Sequence, residues 1–152
     1  MVGSPENHTK GRKTMEYGNV LEFVTANPVF NIATSDQGCP RVRAFLTVLF
    51  DDGLIHFTTS TKKAVGRQLA ADPRVELCYC APDFSKMLRI EAEVEELDDR
   101  SKKARLVAER DYLQGVDPDD PTFKLMRITH GTARFWTLAD NMREAEIPAI
   151  KF

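Results

Sequence analysis

The segment "RVRAFLTVLF", then Asp51-Asp52-Gly53, then "LIHFTTS" constrains the fold of this chain more than any other stretch. Two apolar, β-branched and aromatic runs flank a short acidic-glycine loop, which is the pattern of a β-hairpin. A three-residue loop sets Phe50 opposite Leu54 and Arg43 opposite Thr61. One face then carries Arg43, Phe45, Thr47 and Leu49 against Thr61, Thr59, Phe57 and Ile55. The other face, from Val42 through Ala44, Leu46 and Val48 to Phe50, is apolar throughout. A hairpin apolar on both faces is expected to be covered on both, as in a barrel or at a dimer interface. His56, mid-hairpin, is expected at a barrel or dimer surface.

The far end of this hairpin gathers polar chemistry. Arg41 and Arg43, two apart, project to one side of their strand. Thr58, Thr59, Ser60 and Thr61 lie at the same end and run into Lys62, Lys63 and a short helix expected over 62–71. Hydroxyls before a helix are ordinary caps. Lysines in the first turn are not, because the dipole there is already positive and favours acidic groups. No Glu or Gln stands at the third helical position to complete a capping box. Arginine forks, hydroxyls and a helix N-terminus together can hold a phosphate. The alternative is that the arginines pair with carboxylates such as Asp36 or Asp72 and the lysines are solvated.

Around this segment the chain reads as strands with helices inserted between them. Residues 1–14 are polar and without period, and are expected to be disordered; a single domain follows over 15–152. A helix carries Val20, Leu21, Phe23 and Val24 and ends at Asn27-Pro28. "VFNIATS", "RVELCYCA" and "KMLRIEAEVEEL" are expected strands, then "DDRSKKARLVAERDYL" a helix, then "FKLMRI", "TARFWTL" and "IPAIKF" closing strands. That order predicts a β-barrel or α+β sheet rather than a doubly wound fold.

Several function classes recede at this point. A net charge of −2 offers no basic footprint for nucleic acid. No apolar run reaches the length of a membrane span and no signal-peptide stretch opens the chain. Three cysteines without such a signal suit a reduced cytoplasmic protein. Cys78 and Cys80 share a strand face, but the three histidines, His8, His56 and His130, stand at no zinc-type spacing. The expectation is no metal site, with the two cysteines as small buried hydrophobes. No Ser or Cys is paired with a His as a catalytic triad requires, and no obligatory acid or base stands out.

The stretch "GCPRVRAFLTVLFDDGLIHFTTSTKKAVGRQLAADPRVELCYC" resembles the core of the pyridoxamine 5′-phosphate oxidase-like FMN-binding split barrels. The likeness rests on the Gly-x-Pro-Arg-x-Arg strand, the Asp-Gly hairpin, the Phe-x-Thr strand end, a lysine opening a helix, and "DPRV", in that order. It implies a mainly β (α+β) split barrel with short peripheral helices, homodimeric, binding FMN at the subunit interface. It further implies roles: Arg43, with Arg41 beside it, and Lys63, with Lys62 as rival, on the phosphate; Thr58, Thr59 and Ser60 on the flavin or its phosphate; Gln68 from the helix; Trp136 stacked near the ring. The implied activity is an FMN-dependent oxidoreductase acting on a small molecule, with NAD(P)H as electron source. Two alternatives stay open: a flavin carrier without turnover, and a heme-binding or ligand-sensing member with His130 as axial ligand.

The departures are specific. Ala92 stands where the family's strand has glycine, and Met87 where a flavin-contacting Gln or Trp is frequent. The downstream Arg-x-His segment that grips pyridoxal phosphate has no counterpart in "TLADNMREAEIPAIKF". The likeness therefore implies a flavin site without implying vitamin B6 oxidation.

Overall fold

In the computed structural model, which describes residues 5–152 (side chains from Glu16 onward), thirteen helices and strands follow one another. They are α1 (Pro5–Ala26), β1 (Val29–Asp36), β2 (Cys39–Leu46), β3 (Val48–Leu49), β4 (Ile55–Ser60), α2 (Ala64–Ala71) and β5 (Arg74–Cys80). Then come β6 (Lys86–Glu93), β7 (Glu95–Glu96), α3 (Arg100–Glu109), β8 (Phe123–Ile128), β9 (Gly131–Thr137) and β10 (Ile150–Lys151). Residues 5–14, expected to be disordered, are helical backbone continuous with the helix expected after them. Extending a helix by a residue costs far less than nucleating one. Residues 1–4 lie outside the described residues.

Two antiparallel sheets make a split barrel. The larger has the order β10-β9-β6-β5-β1-β2 and the smaller β3-β4-β8-β7. Two corners join them. At Thr47 the chain leaves β2 for β3, and at Val94 it leaves β6 for β7; both corner residues are buried. Their N–H groups are satisfied by the carbonyls of Pro28 and Pro73, at 2.8 and 2.9 Å. The Thr47 hydroxyl also meets the buried Tyr79 hydroxyl at 2.8 Å.

The first corner corrects the expected long hairpin. Its register holds where it forms, with Val48 opposite His56 and Leu49 opposite Ile55. Beyond Thr47 the two arms part. Residues 39–46 pair with β1 instead, through the tight turn at Gln37 and Gly38, both at positive φ. β4 pairs along its whole length with β8. A local two-residue turn closes at low entropic cost, so β2 finds its hydrogen bonds in β1. The faces follow. Phe45 packs inward against Phe30 and Phe57, whereas Val42 is 66% exposed and Ala44 is open to solvent. Over β2 the second apolar face is thus uncovered in the single chain, whereas its Val48 and Phe50 end is buried.

Two cores form. The main one lies between the sheets and α1, and includes Val20, Val24, Phe30, Ile32, Phe57, Leu77, Tyr79 and Ile90. A second, of Val48, Phe50, Leu106, Leu113, Phe123 and Leu125, lies between the smaller sheet and α3. This second core corrects the placement of His56, which is fully buried rather than at a surface. Its Nδ1 bonds the Leu54 carbonyl at 2.9 Å. Its Nε2 faces Asp52 at 3.4 Å without a well-formed hydrogen bond. Asp99 caps α3 by accepting from the Lys102 N–H at 2.9 Å.

Candidate functional site

The expected phosphate cluster sits where β4 ends and α2 begins. Thr61 donates its N–H to Thr122, Lys63 donates to the Ser60 carbonyl, and Lys62 to the Ser60 hydroxyl. α2 can dock this closely only because residue 66 is glycine. A Cβ there would collide with the Ser60 carbonyl and stand 3.0 Å from Thr61 Cα. Lys63 is the N-cap residue, in extended backbone, and no side chain caps the helix. Its first N–H groups thus lack an internal partner, as at any uncapped helix start.

A cavity of about 960 Å³ opens over this junction. Arg43, Thr58, Thr59, Ser60, Lys62 and Lys63 all line it, together with Ala64 and Val65 of the first helical turn. Its opposite wall is Tyr112, Leu113, Val116 and Phe123, and its rim includes Val29, Ala44 and Leu46. Apolar walls with a few convergent polar groups are the ordinary composition of a small-molecule site.

The cations differ in their engagements. Arg43 Nη1 donates to Thr34 Oγ1 at 2.7 Å, and Thr34 in turn donates to Gln68 Oε1 at 2.8 Å. Thr34 and Gln68 are both buried. Gln68 therefore does not line the cavity; it holds Arg43 through Thr34. Among the described residues neither Arg43 nor Lys63 has a carboxylate within ion-pair distance. Lys62 faces Asp120 at 3.9 Å. The hydrogen bonds from the Thr122 hydroxyl and N–H hold that carboxyl below its ordinary pKa, with Lys62 adding to the effect. Thr59 adds a further signal. Its hydroxyl is buried in the wall with no hydrogen-bond partner, an arrangement that costs free energy unless something completes it.

Two expected residues lie elsewhere. Arg41 is exposed, paired with Asp36 at 3.4 Å, and outside the cavity lining. Two residues nearer the turn than Arg43, it has passed the mouth of the site and meets the Asp36 carboxylate across its own hairpin. Trp136 lies on the outer face of β9, opposite Met87 and tilted against Phe84 at 6.0 Å. The barrel wall separates that face from the interior. His130 is exposed and borders a different, shallow cleft with Gly131 and Phe152. Thr34 and the Tyr112–Val116 wall were not singled out from the sequence. A threonine in an alternating strand and a tyrosine after a helix carry no local mark of a site.

Comparison with known proteins agrees with this architecture. The family model described as pyridoxamine 5′-phosphate oxidase matches residues 18–137. A pyridoxine/pyridoxamine 5′-phosphate oxidase of Pseudomonas savastanoi pathovar phaseolicola is 28% identical over 112 residues, 61% of this chain and 52% of that protein. The chain thus spans about half the length of that curated relative. A NimC/NimA family protein of Clostridium acetobutylicum superposes with a TM-score of 0.74 at 22% identity, over 90% of this chain and 94% of that one. A pyridoxamine 5′-phosphate oxidase-related, FMN-binding protein of Nostoc punctiforme gives 0.57 at 17% identity, over 100% and 99%. A heme-binding protein of Mycobacterium smegmatis gives 0.65 at 17% identity, over 88% and 56%. Among the described residues no helix is long and apolar enough to cross a membrane. The split-barrel topology and a family match over most of the chain lead to one assignment: this chain belongs to the pyridoxamine 5′-phosphate oxidase family.

Proposed function

We propose that the cavity binds FMN and that the chain is an FMN-dependent oxidoreductase of a small molecule. One observation carries the reading: two cations without carboxylate partners among the described residues, Arg43 and Lys63, share a cavity wall with the orphaned hydroxyl of Thr59. A phosphate would satisfy all three, and the uncapped start of α2 would add its dipole. The residues present thus fit the group. The FMN-binding neighbour from Nostoc punctiforme supports the same assignment.

In this reading Arg43 binds the phosphate as a fork already oriented by Thr34 and Gln68. Lys63 contributes a second charge, and Lys62 is partly neutralised by Asp120. Thr58, Thr59 and Ser60 supply hydroxyls along the strand end. Tyr112, Leu113 and Val116 exclude water from the apolar part of the ligand. A bound flavin supplies hydride or electron transfer, while the protein contributes position and electrostatics. NAD(P)H is the proposed electron source, and a cytoplasmic setting goes with it.

We further propose that a second copy covers the open face of β1 and β2. Val29, 59% exposed, lies there beside Val42 and Ala44 and borders the cavity with Ala44 and Leu46. Trp136 could approach a flavin only across such an interface, since within one chain it lies outside the lining. Heme is less well served: His130 is outside the cavity, and no histidine lines it.

The test is the absorption spectrum of protein purified without added cofactor, followed by mass analysis of what heat releases. A flavin double band with released FMN supports the proposal. A Soret band, or a colourless protein that takes up no added FMN, refutes it.

A further inference from the structure

The cationic end of the cavity also carries negative charge. Of the described side chains that line it, two are carboxylates, Asp117 and Asp120, and both stand on the segment between Val116 and β8. That segment is tied to the phosphate cluster. The Thr61 N–H donates to the Thr122 carbonyl at 3.0 Å, and Lys62 Nζ faces Asp120 Oδ2 at 3.9 Å. A carboxylate beside a phosphate seat opposes binding, because like charges repel at short range. Its use lies in selection, since discrimination between two ligands is sharpened by a group that repels the wrong one.

Asp120 is held in place by its own turn. Oδ1 accepts from the Thr122 N–H at 2.8 Å and from the Thr122 hydroxyl at 2.7 Å. The Asp120 N–H donates to the Asp117 carbonyl, and its carbonyl accepts from the Phe123 N–H, both at 3.0 Å. Oδ2 is left to face Lys62. Asp117 repeats the pattern, its Oδ1 accepting from the Asp119 N–H at 2.9 Å. Pro118 and Pro121 fix φ on either side of Asp119 and Asp120. The turn therefore needs one acceptor oxygen from each side chain, which an asparagine would supply equally. The negative charge is surplus to the turn.

On the flavin reading, one phosphate monoester, about −2 at neutral pH, takes Arg43 and Lys63, the cavity cations without carboxylate partners among the described residues. A second phosphate joined to the first finds only Lys62, which already faces Asp120, and meets two carboxylates. We infer that Asp120, with Asp117 in the same turn, is a specificity-determining residue that admits a flavin ending in one phosphate and repels flavin adenine dinucleotide (FAD). The inference rests on the flavin reading of this cavity. It assigns these carboxylates no part in electron transfer; they act on which cofactor enters.

The test is calorimetric titration of the full-length protein with FMN, FAD and riboflavin, in the parent, Asp120→Asn and Asp117→Asn. The parent should prefer FMN to FAD by more than about tenfold. Asp120→Asn should bring FAD within about threefold of FMN, while FMN itself tightens by no more than about fivefold, the range of a partly exposed charge pair. Asp117→Asn should narrow the gap in the same direction, and it decides the matter should Asp120→Asn fail to fold. Riboflavin, which has no phosphate, should bind all three proteins alike. A parent that holds FAD as tightly as FMN, a parent ratio retained in every folded variant, or riboflavin affinity that moves in step with the ratio overturns the inference and leaves FMN binding standing. A parent that binds no flavin overturns the flavin reading and this inference together.

Discussion

Arg43→Ala is the perturbation that most directly tests the flavin site. In the folded chain the guanidinium donates one side-chain hydrogen bond, the 2.7 Å bond to Thr34. Thr34 keeps its own donation to Gln68 when that bond is lost. The fold should therefore lose only one part-buried hydrogen bond, about 0.5–1.5 kcal/mol. Binding should lose much more. A charge-assisted hydrogen bond to phosphate is worth about 1.5–3 kcal/mol, which is about 10- to 150-fold in Kd. The assay is quenching of flavin fluorescence, run in parallel with FMN and riboflavin. The parent protein should prefer FMN, and the variant should lose that preference while holding riboflavin as before. Arg41→Ala, in a residue engaged with Asp36 outside the cavity, serves as the matched control and should stay within about twofold. Equal FMN affinity in parent and Arg43→Ala protein would remove the phosphate from this wall. A parallel loss of riboflavin would show that Arg43 acts on the fold instead.

Other perturbations separate positioning from contact. Thr34→Val should strand the buried Gln68 Oε1, destabilise the fold by about 1–3 kcal/mol, and weaken FMN without touching it; urea midpoints and the same quenching assay read both. Gly66→Ala should cost about 3 kcal/mol through overpacking against Ser60, seen as a lower urea midpoint even without flavin. For His56, burial lowers the pKa from 6.5, partly opposed by Asp52. The unfolded chain therefore binds the proton more readily, and stability should fall as pH drops below about 6.5; His56→Gln should flatten that part of the profile. Val42→Glu should turn the proposed dimer into a monomer in light scattering and reduce FMN retention with it.

Much of the fold was legible because local rules and tertiary demands coincide here. Strand alternation placed β5, β6, β8 and β9, and the Val20–Val24 spacing placed the apolar stripe of α1 on the main core. Gln37-Gly38 marked a tight turn. The hairpin register was right for Val48 and Leu49 and failed beyond Thr47. Nothing local announces that a continuous β run will switch sheets, because the choice depends on which distant strand satisfies its backbone. The site divides in the same way. Lysines against a helix dipole and hydroxyls at a strand end were chemical anomalies visible in one dimension, and they do meet in one cavity.

Tertiary structure alone decided the rest. It removed Arg41 to an ion pair, engaged Lys62 with Asp120, and left Lys63 without a carboxylate among the described residues. It also made Gln68 a support for Arg43 through Thr34, a contact between residues 34 apart. It buried His56 beneath α3 and put Cys78 and Cys80, expected as small buried hydrophobes, on the outer face of β5. The sequence by itself determined which chemistry was present and which residues shared a strand face, since both follow from side-chain identity and a period of two. Partners were decided only by folding, because hydrogen bonds, ion pairs and burial depend on separations in space that no spacing along the chain encodes.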